Sequence, residues 1–159
     1  MDYQKIIDQI YKELSQVENR GEVANYIPEL AKIDKDQFGI QLQLLNGDHY
    51  RAGNAKTKFS IQSISKVLTF AMAIAIENSN IWERMDVEPS GNPFNHLSLL
   101  EQENGIPRNP FINTGAIVVC DILISHLNNP KQDFLSFVRK LTGDNSIDYN
   151  PKVAKSEQD

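Results

Sequence analysis

The start of the chain repeats apolar residues at the spacing of an α-helix. Apolar side chains recur at steps of three and four residues, with charged residues between them, at Tyr3, Ile6, Ile7, Ile10, Tyr11, Leu14 and Val17. Positions with this spacing share one face of a helix that has 3.6 residues per turn. The pattern therefore predicts an amphipathic helix over residues 2–17, within a leading segment of residues 1–20.

The spacing changes to every second residue in the next patterned segment. From residue 38 to residue 45, apolar side chains alternate with glycine and glutamine, which is typical of a half-buried strand. Asn46-Gly47 follows directly, and both residues tolerate the positive φ angles of a tight turn. The pattern predicts a hairpin into a second strand around residues 49–52, and with it a small antiparallel sheet.

Three later segments have the patterns of helices. Residues 67–76 are apolar on nearly every side, which predicts a buried helix in the middle of a domain. A second apolar helix is expected over residues 115–127, and an amphipathic helix over residues 131–141 that ends at Gly143. Residues 88–95 and 104–110 are rich in turn formers and are expected to form ordered loops. Because no repeat or linker interrupts the pattern, the chain is expected to form one compact unit.

The charge balance and the length of the apolar runs exclude two classes of partner. The chain has a formal net charge of -5 at pH 7, and nucleic-acid binding relies on clustered lysine and arginine, so no nucleic acid is expected. The longest apolar run, residues 67–76, is about half of the ~20 residues that a membrane span needs, so no membrane partner is expected. The start of the chain alternates charged and apolar residues, unlike a signal peptide, which predicts a cytoplasmic protein.

The single cysteine and the three histidines are predicted to take no part in chemistry. Cys120 lies among isoleucine, valine and leucine, so its thiol is expected to be buried and unreactive, and it has no partner for an internal disulfide. His49, His96 and His126 have no second ligand at a metal-binding spacing. The sequence therefore predicts no metal site and no cofactor.

Ser63 and Lys66 form the one S-x-x-K motif of the chain, where the apolar helix begins. Residues three apart share a helix face, so the lysine amine can lie against the serine hydroxyl. Burial lowers a lysine pKa, and a neutral amine can take the serine proton as the oxygen attacks an acyl carbon. Backbone N–H groups at the helix start would stabilise the resulting oxyanion. The motif alone leaves a second interpretation open, in which Ser63 caps the helix and Lys66 lies at the surface.

Longer blocks of sequence surround this motif. They are residues 21–31 (GEVANYIPELA), 59–66 (FSIQSISK), 88–95 (EPSGNPFN) and 109–117 (NPFINTGAI), with a weaker block at 153–157 (VAKSE). In this order they resemble the blocks of the bacterial serine-dependent glutaminase family. Thr114 stands where that family usually has alanine.

The resemblance implies a fold and a reaction. The fold is α+β and of the β-lactamase/transpeptidase type, an antiparallel sheet packed with helices, and residues 1–159 would be the N-terminal portion of a single catalytic domain. The reaction is hydrolysis of L-glutamine to L-glutamate and ammonia through a serine acyl-enzyme. Family chains are about twice as long, so this half is expected to be inactive alone. The full-length protein is expected to be a homo-oligomer, a dimer or a tetramer.

The same resemblance assigns roles to particular side chains. The catalytic residues would be the nucleophile Ser63, its activator Lys66, and Tyr26, and the substrate would contact Gln62, Ser63, Asn113 and Glu157. A carboxylate acceptor for an ammonium group and amide donors for a carboxylate suit an amino-acid substrate. Simpler interpretations stay open for Tyr26 as a core or interface residue, Asn113 as a helix cap, and Glu157 as a solvated carboxylate.

Two other classes of function stay open at this point. One is another serine acyl-transfer enzyme of the same fold, such as a β-lactamase or a transpeptidase, although the chain has no S-D-N or K-T-G motif. The other is a non-catalytic half-domain that binds a partner protein through its uncovered surface.

Overall fold

The computed structural model describes residues 1–19 and 21–157, which form two compact units. Unit 1 consists of Met1–Ser60 with Asn150–Asp159, and unit 2 consists of Ile61–Tyr149. The contacts therefore divide the chain at points where the sequence shows no linker. The assignment of both units to one catalytic domain stays a prediction. Residues 158–159, which that prediction includes, lie outside the described residues.

Unit 1 begins with helix α1, Tyr3–Ser15, which confirms the amphipathic helix predicted from the apolar spacing. Its inner face is aromatic. The ring of Tyr3 lies 5.6 Å from that of Tyr50 between centroids, and Tyr11 stacks on Phe38 at 5.4 Å. Aromatic pairs at these separations contribute beyond the area that they bury, so they fix α1 against the strands that follow.

The strands of unit 1 form the predicted antiparallel hairpin. Strand β1, Gly39–Gln43, pairs with strand β2, His49–Gly53, in a register that sets Leu42 opposite Tyr50. Residues 44–48 connect them, and Gly47 has a φ of 92°, the conformation for which glycine is favoured in turns. Unit 1 also contains a short helix α6, Pro151–Ser156, which the sequence pattern did not indicate.

Unit 2 is helical. Its elements are a 3₁₀ turn (Gln62–Ile64), α2 (Ser65–Glu77), a second 3₁₀ segment (Asn78–Glu83), α3 (Ser98–Gln102), α4 (Asn113–His126) and α5 (Pro130–Thr142). Helices α4 and α5 confirm the two helices predicted after residue 113. Gly143 ends α5 with a φ of 69°, as expected for a glycine that caps a helix C-terminus.

The core of unit 2 lies where α2 packs against α4. Its buried side chains are Ala73, Ile81, Met85, Val118, Val119, Ile122 and Leu123. The ring of Phe70 lies edge-on to Trp82, with centroids 6.0 Å apart. This packing fixes the first turns of α2 and α4 relative to each other, and those turns carry Lys66 and Asn113.

The expectation that helix α2 is buried on every side is wrong for this chain. Ala73 is fully buried, but Val67 is 54% exposed and Ile74 is 37% exposed. Together with Ile64 and Ala71 they form an outward apolar stripe at steps of three and four residues. A uniformly apolar helix carries no periodicity to say which face packs inward, so the sequence could not show this asymmetry.

The expectation of a buried thiol at Cys120 is also wrong. Cys120 lies on the outer side of α4 and lines an open cleft of about 410 Å³, together with Ile124 and Phe134. Partial burial in these apolar surroundings still raises the pKa of the Cys120 thiol. The residues next to Cys120 in sequence are apolar and point to all sides of the helix, so they did not indicate which side faces solvent.

Helices of the described residues, 1–19 and 21–157, are too short or too polar to cross a membrane.

Candidate functional site

Ser63 lies in the 3₁₀ turn Gln62–Ile64 that leads into α2, with its side chain exposed. Gln62 has a φ of 46°, which is uncommon for a residue other than glycine. The hydroxyl of Ser65 donates to the Gln62 carbonyl oxygen at 2.7 Å and so supports this backbone conformation. The cap position of α2 is Ile64, with no side-chain hydrogen bond, so the interpretation of Ser63 as a helix cap is wrong.

Lys66 is the second residue of α2, and its amine is held by two acceptors from outside that helix. Its Nζ donates to Asn113 Oδ1 at 2.7 Å and to the carbonyl oxygen of Phe111 at 3.1 Å. The ring centroid of Phe94 lies 5.8 Å from the same nitrogen. Burial lowers the pKa of Lys66 below its ordinary value. Lys66 is therefore a partly buried, hydrogen-bonded lysine and not a free surface cation.

The structure gives the amine of Lys66 different partners from the one that the S-x-x-K motif predicted. Across the described part of the chain, the amine of Lys66 makes its side-chain hydrogen bond to Asn113 and none to Ser63. The expected direct contact between amine and hydroxyl is thus not formed in this conformation. Catalytic hydrogen bonds are often long or unformed without substrate, so the pair keeps its chemical interpretation as a prediction.

Asn113 is the first residue of α4 and joins three segments of unit 2. Its side chain reaches Lys66 of α2, and its backbone N–H donates to the carbonyl oxygen of Phe94 at 2.8 Å. The cap position of α4 is Ile112, with no side-chain hydrogen bond. The interpretation of Asn113 as the helix cap is therefore wrong, because its amide is used by Lys66.

A turn at residues 109–112 brings the Phe111 carbonyl to the lysine. The side-chain oxygen of Asn109 accepts from the N–H of Phe111 at 3.0 Å and of Ile112 at 3.2 Å. Its amide group donates to the carbonyl of Glu88 at 2.9 Å. The ring of Phe111 packs edge-on against Phe70, with centroids 5.6 Å apart. Asn109 and the aromatic pair together fix where this carbonyl points.

Thr114, the residue that departs from the family pattern, lies next to this site. Its side chain is buried, with 1% exposure, and its hydroxyl has no hydrogen-bond partner among the described residues. An unpaired hydroxyl in a buried position costs free energy relative to an apolar group of the same shape. The hydroxyl at residue 114 is therefore a local cost to stability.

Tyr26 and Glu157 belong to unit 1, whereas Gln62, Ser63, Lys66 and Asn113 belong to unit 2. Tyr26 is 80% exposed in a segment of turns, so the interpretation of Tyr26 as a core residue is wrong. Glu157 is exposed and follows helix α6 directly. The roles of both residues stay predictions.

Three residues of this site had no assigned role from the sequence. Phe94 and Phe111 contact the lysine amine, and Asn109 holds the turn that carries Phe111. Phe111 acts through its main-chain oxygen, which has no sequence signal. An available signal for Asn109 was its place before a proline in a turn-rich segment, because asparagine side chains accept from backbone N–H groups two residues on. The ring of Phe94 lies over the lysine amine. The two residues are far apart in sequence, so no local pattern predicts their contact.

No cluster of three histidine, cysteine, aspartate or glutamate side chains among residues 1–19 and 21–157 is placed to hold a metal ion. Two open clefts of unit 2 lie elsewhere, one of about 380 Å³ beside Glu103 and Arg108 and one of about 410 Å³ beside Cys120. Neither is lined by Ser63, Lys66 or Asn113. The lysine with its two acceptors is therefore the group on which a chemical function can be argued.

The fold and the known proteins that share it define the class of protein. The chain combines helices with a small antiparallel sheet, and the solved structures that it matches have the β-lactamase-like fold, which confirms the predicted α+β class. The chain belongs to the glutaminase family, because the family model described as Glutaminase matches residues 21–159. This confirms the resemblance found in the sequence blocks.

Curated relatives support the same assignment. The chain is 54% identical over 158 residues to the glutaminase of Christiangramia forsetii, covering 99% of this chain and 52% of that protein. It is 51% identical over 157 residues to the glutaminase of Saccharophagus degradans, covering 99% of this chain and 51% of that protein. The chain spans about half the length of the curated relatives that it matches.

Solved structures agree with the sequence relatives. A structure described as probable glutaminase ybaS matches with a TM-score of 0.88 and 30% identity, over 98% of this chain and 50% of that one. The probable glutaminase of Bacillus subtilis complexed with 6-diazo-5-oxo-L-norleucine matches with a TM-score of 0.74 and 29% identity. That match covers 99% of this chain and 47% of the other.

Proposed function

We propose that this chain supplies the nucleophile-bearing half of an enzyme that hydrolyses L-glutamine to L-glutamate and ammonia. The observation that carries the proposal is the Lys66 amine, which is partly buried and bonded to Asn113 at 2.7 Å, three residues after an exposed serine. Membership of the glutaminase family supports glutamine as the substrate, and it favours this reaction over β-lactam or peptidoglycan chemistry.

The reaction needs one nucleophile and one base. Neutral Lys66 takes the proton of the Ser63 hydroxyl as Oγ bonds to the side-chain carbonyl carbon of glutamine. The carbon–nitrogen bond then breaks, and the leaving nitrogen takes the proton from the Lys66 ammonium and departs as ammonia. Water attacks the resulting ester, and its proton passes through Lys66 to Ser63 Oγ as glutamate is released. The lowered pKa of Lys66 supports this role, since it increases the fraction of neutral amine near neutral pH.

The remaining assigned residues have side chains that suit the two ends of an amino acid. Gln62 and Asn113 offer amide donors for the substrate carboxylate, and Glu157 offers an acceptor for its ammonium group. Tyr26 offers a phenol for the reacting end. Support for Asn113 is structural, because its amide already lies within hydrogen-bond distance of the catalytic lysine.

We infer that the 159-residue chain alone does not turn over glutamine, because it spans only about half the length of the relatives that it matches. The single-domain assignment, a dimeric or tetrameric homo-oligomer and a cytoplasmic location belong to this proposal. The single cysteine supports a cytoplasmic location, because disulfides belong to oxidising compartments and this sequence can form none internally. Glutamine would be the partner, with no nucleic acid and no membrane.

A chimera tests the proposal. This chain is joined to the second half of the Christiangramia forsetii glutaminase, which is 54% identical to it over the shared half, and ammonia release from L-glutamine is measured. Ser63→Ala should abolish turnover, because losing such a nucleophile costs on the order of 10⁶-fold. Ser125→Ala, exposed on α4 and part of no site described above, is the matched control. A Ser63→Ala chimera that keeps more than about a thousandth of the wild-type rate would show that no acyl-enzyme forms on Ser63. Hydrolysis of a chromogenic β-lactam without ammonia release would favour the other acyl-transfer class.

A further inference from the structure

We propose that Asn113 is a positioning residue for Lys66, and that its side-chain oxygen and the Phe111 carbonyl together hold the amine so that its lone pair is left for Ser63. The proposal deepens the proposed function and rests on it, because it concerns how the base of that reaction is oriented. Asn113 was assigned to substrate binding, and nothing assigned a role to Phe111 or to the turn that carries it.

The two contacts account for both N–H groups of a neutral lysine. The amine bonds to Asn113 Oδ1 at 2.7 Å and to the Phe111 oxygen at 3.1 Å. Both partners are oxygen acceptors that cannot donate, so neither competes for the nitrogen lone pair. A neutral amine has two N–H donors and one lone pair. Two occupied donors therefore leave the lone pair as the remaining site of the tetrahedral nitrogen.

Both acceptors are held by contacts of their own. The backbone of Asn113 is tied to Phe94 by a hydrogen bond of 2.8 Å. The Phe111 carbonyl shares its peptide plane with the Ile112 N–H, which donates to the Asn109 side-chain oxygen at 3.2 Å and so fixes that plane. A lysine stem has four rotatable carbon–carbon bonds, so a free amine would spread over many positions. Two rigid acceptors reduce this freedom before the substrate binds, which is how fixed geometry lowers a reaction barrier.

The same arrangement divides the asparagine amide between two tasks. The oxygen of Asn113 accepts from Lys66, so the NH₂ group on the same amide carbon is directed away from the lysine. That NH₂ stays available to a substrate carboxylate. Asn113 can therefore orient the base with its oxygen and hold the substrate with its nitrogen.

The test measures Ser63 without an amino-acid substrate. The probe is diisopropyl fluorophosphate: Ser63 Oγ bonds to its phosphorus as fluoride leaves, and the hydroxyl proton passes to Lys66. The probe carries no amino or carboxyl group for Asn113 to bind. The rate of Ser63 modification in the 159-residue chain is followed by peptide mass spectrometry for wild type, Asn113→Ala, Lys66→Met and the control Asn128→Ala. Asn128 is exposed beyond the end of α4. Circular dichroism melts establish that each variant is folded.

We expect Asn113→Ala to slow Ser63 modification about 100-fold, the cost of a misplacement of about 1 Å, and Asn128→Ala to leave the rate unchanged. A rate within twofold of wild type in a folded Asn113→Ala chain would overturn the proposal and leave Asn113 as a substrate contact only. A wild-type rate no faster than that of Lys66→Met would also overturn it, because the lysine would then not act on Ser63.

Asn113→Asp keeps the shape and an oxygen acceptor, so it separates positioning from folding. Its carboxylate favours the ammonium form and should raise the pKa of Lys66. The rate of Ser63 modification, which increases as Lys66 becomes neutral, should then increase only at higher pH. Above that pH the Asn113→Asp chain should recover the wild-type rate, whereas Asn113→Ala should stay slow at every pH. Equal behaviour of the two variants would contradict a role for the oxygen. Glutamine turnover does not enter these measurements, so this proposal and the glutaminase activity can fail independently.

Discussion

Gly115 and Asn109 approach so closely that no side chain fits at residue 115: an added Cβ would lie 1.9 Å from the Asn109 carbonyl oxygen. The contact brings the turn at residues 109–112 onto the first turn of α4. Gly115→Ala should therefore destabilise the chain by about 1–3 kcal/mol, because backbone must move to admit the methyl group. Urea unfolding of the 159-residue chain measures this, with Ser125→Ala on the same helix as the control. An unchanged urea midpoint for Gly115→Ala would mean that the turn at residues 109–112 moves aside without a loss of stability.

Thr114→Val should raise the stability of the chain. The substitution keeps the shape of a side chain that is 1% exposed and removes a hydroxyl that has no partner within the described residues. The expected gain is about 1 kcal/mol, since an unsatisfied buried hydroxyl loses its hydration without a compensating bond. Thr142→Val is the matched control, because its hydroxyl donates to Val138 at 2.8 Å and that bond would be lost. A lower melting temperature for Thr114→Val than for wild type would show that the hydroxyl is in fact bonded.

The pKa of Lys66 sets a pH dependence of stability with a defined sign. The folded chain holds this pKa below its ordinary value of 10.5, so between the two values the unfolded chain binds more protons. Stability gains a contribution that rises with pH across that window. Lys66→Met removes this contribution, so the stability of the wild-type chain relative to Lys66→Met should rise with pH across that window. Unfolding midpoints of both chains from neutral pH upwards measure it, and parallel curves would exclude a perturbed lysine.

Lys66→Arg in the chimera should lose glutaminase activity although it keeps the positive charge. An arginine stays protonated in proteins, so it cannot take the Ser63 proton. The expected loss is about 10²- to 10⁴-fold in kcat, the usual contribution of a general base. Retention of most of the kcat would show that residue 66 acts as a fixed charge and not as a base.

The chimera should prefer L-glutamine to L-asparagine. Asparagine is shorter by one methylene. If its amino and carboxylate groups bind where those of glutamine bind, its side-chain amide lies farther from Ser63. Misplacement by about 1 Å costs roughly 100-fold. Values of kcat/KM for both amides measure the preference, and comparable values would contradict the assignment of Asn113 and Glu157 to the amino-acid head.

The isolated 159-residue chain should release no ammonia above background beside the chimera at equal concentration. Its Ser63 and Lys66 are in place, but the chain spans about half the length of the relatives that it matches, and we propose that the other half orients the substrate. Turnover within about tenfold of the chimera would show that the residues of this half suffice.

The elements with clear periodicity were predicted well from the sequence. Helix α1 was expected over residues 2–17 and runs Tyr3–Ser15, and the hairpin forms around Asn46-Gly47. These elements are decided by neighbours in sequence, through apolar spacing and turn chemistry. The uniformly apolar helices α2 and α4 were located correctly, but their outward faces, including Cys120, were not.

The contacts of the candidate site could not be predicted from the sequence. The bond between Lys66 and Asn113 joins positions 47 apart, and the second acceptor is the main-chain oxygen of Phe111. A contact of this kind depends on how α2 packs against α4, which no local pattern records. The sequence blocks placed Lys66 and Asn113 in one hypothesis, and the packing adds that the lysine amine bonds to the asparagine and not directly to the serine.

At Gln62, the residue that suits the backbone best differs from the residue proposed to bind the substrate. A φ of 46° costs an ordinary residue about 1 kcal/mol more than it costs glycine. Laboratory evolution for heat resistance alone would therefore favour glycine at position 62, whereas selection of the chimera on glutamine as a nitrogen source would retain the amide that we propose contacts the substrate. A library randomised at position 62 should diverge under the two regimes.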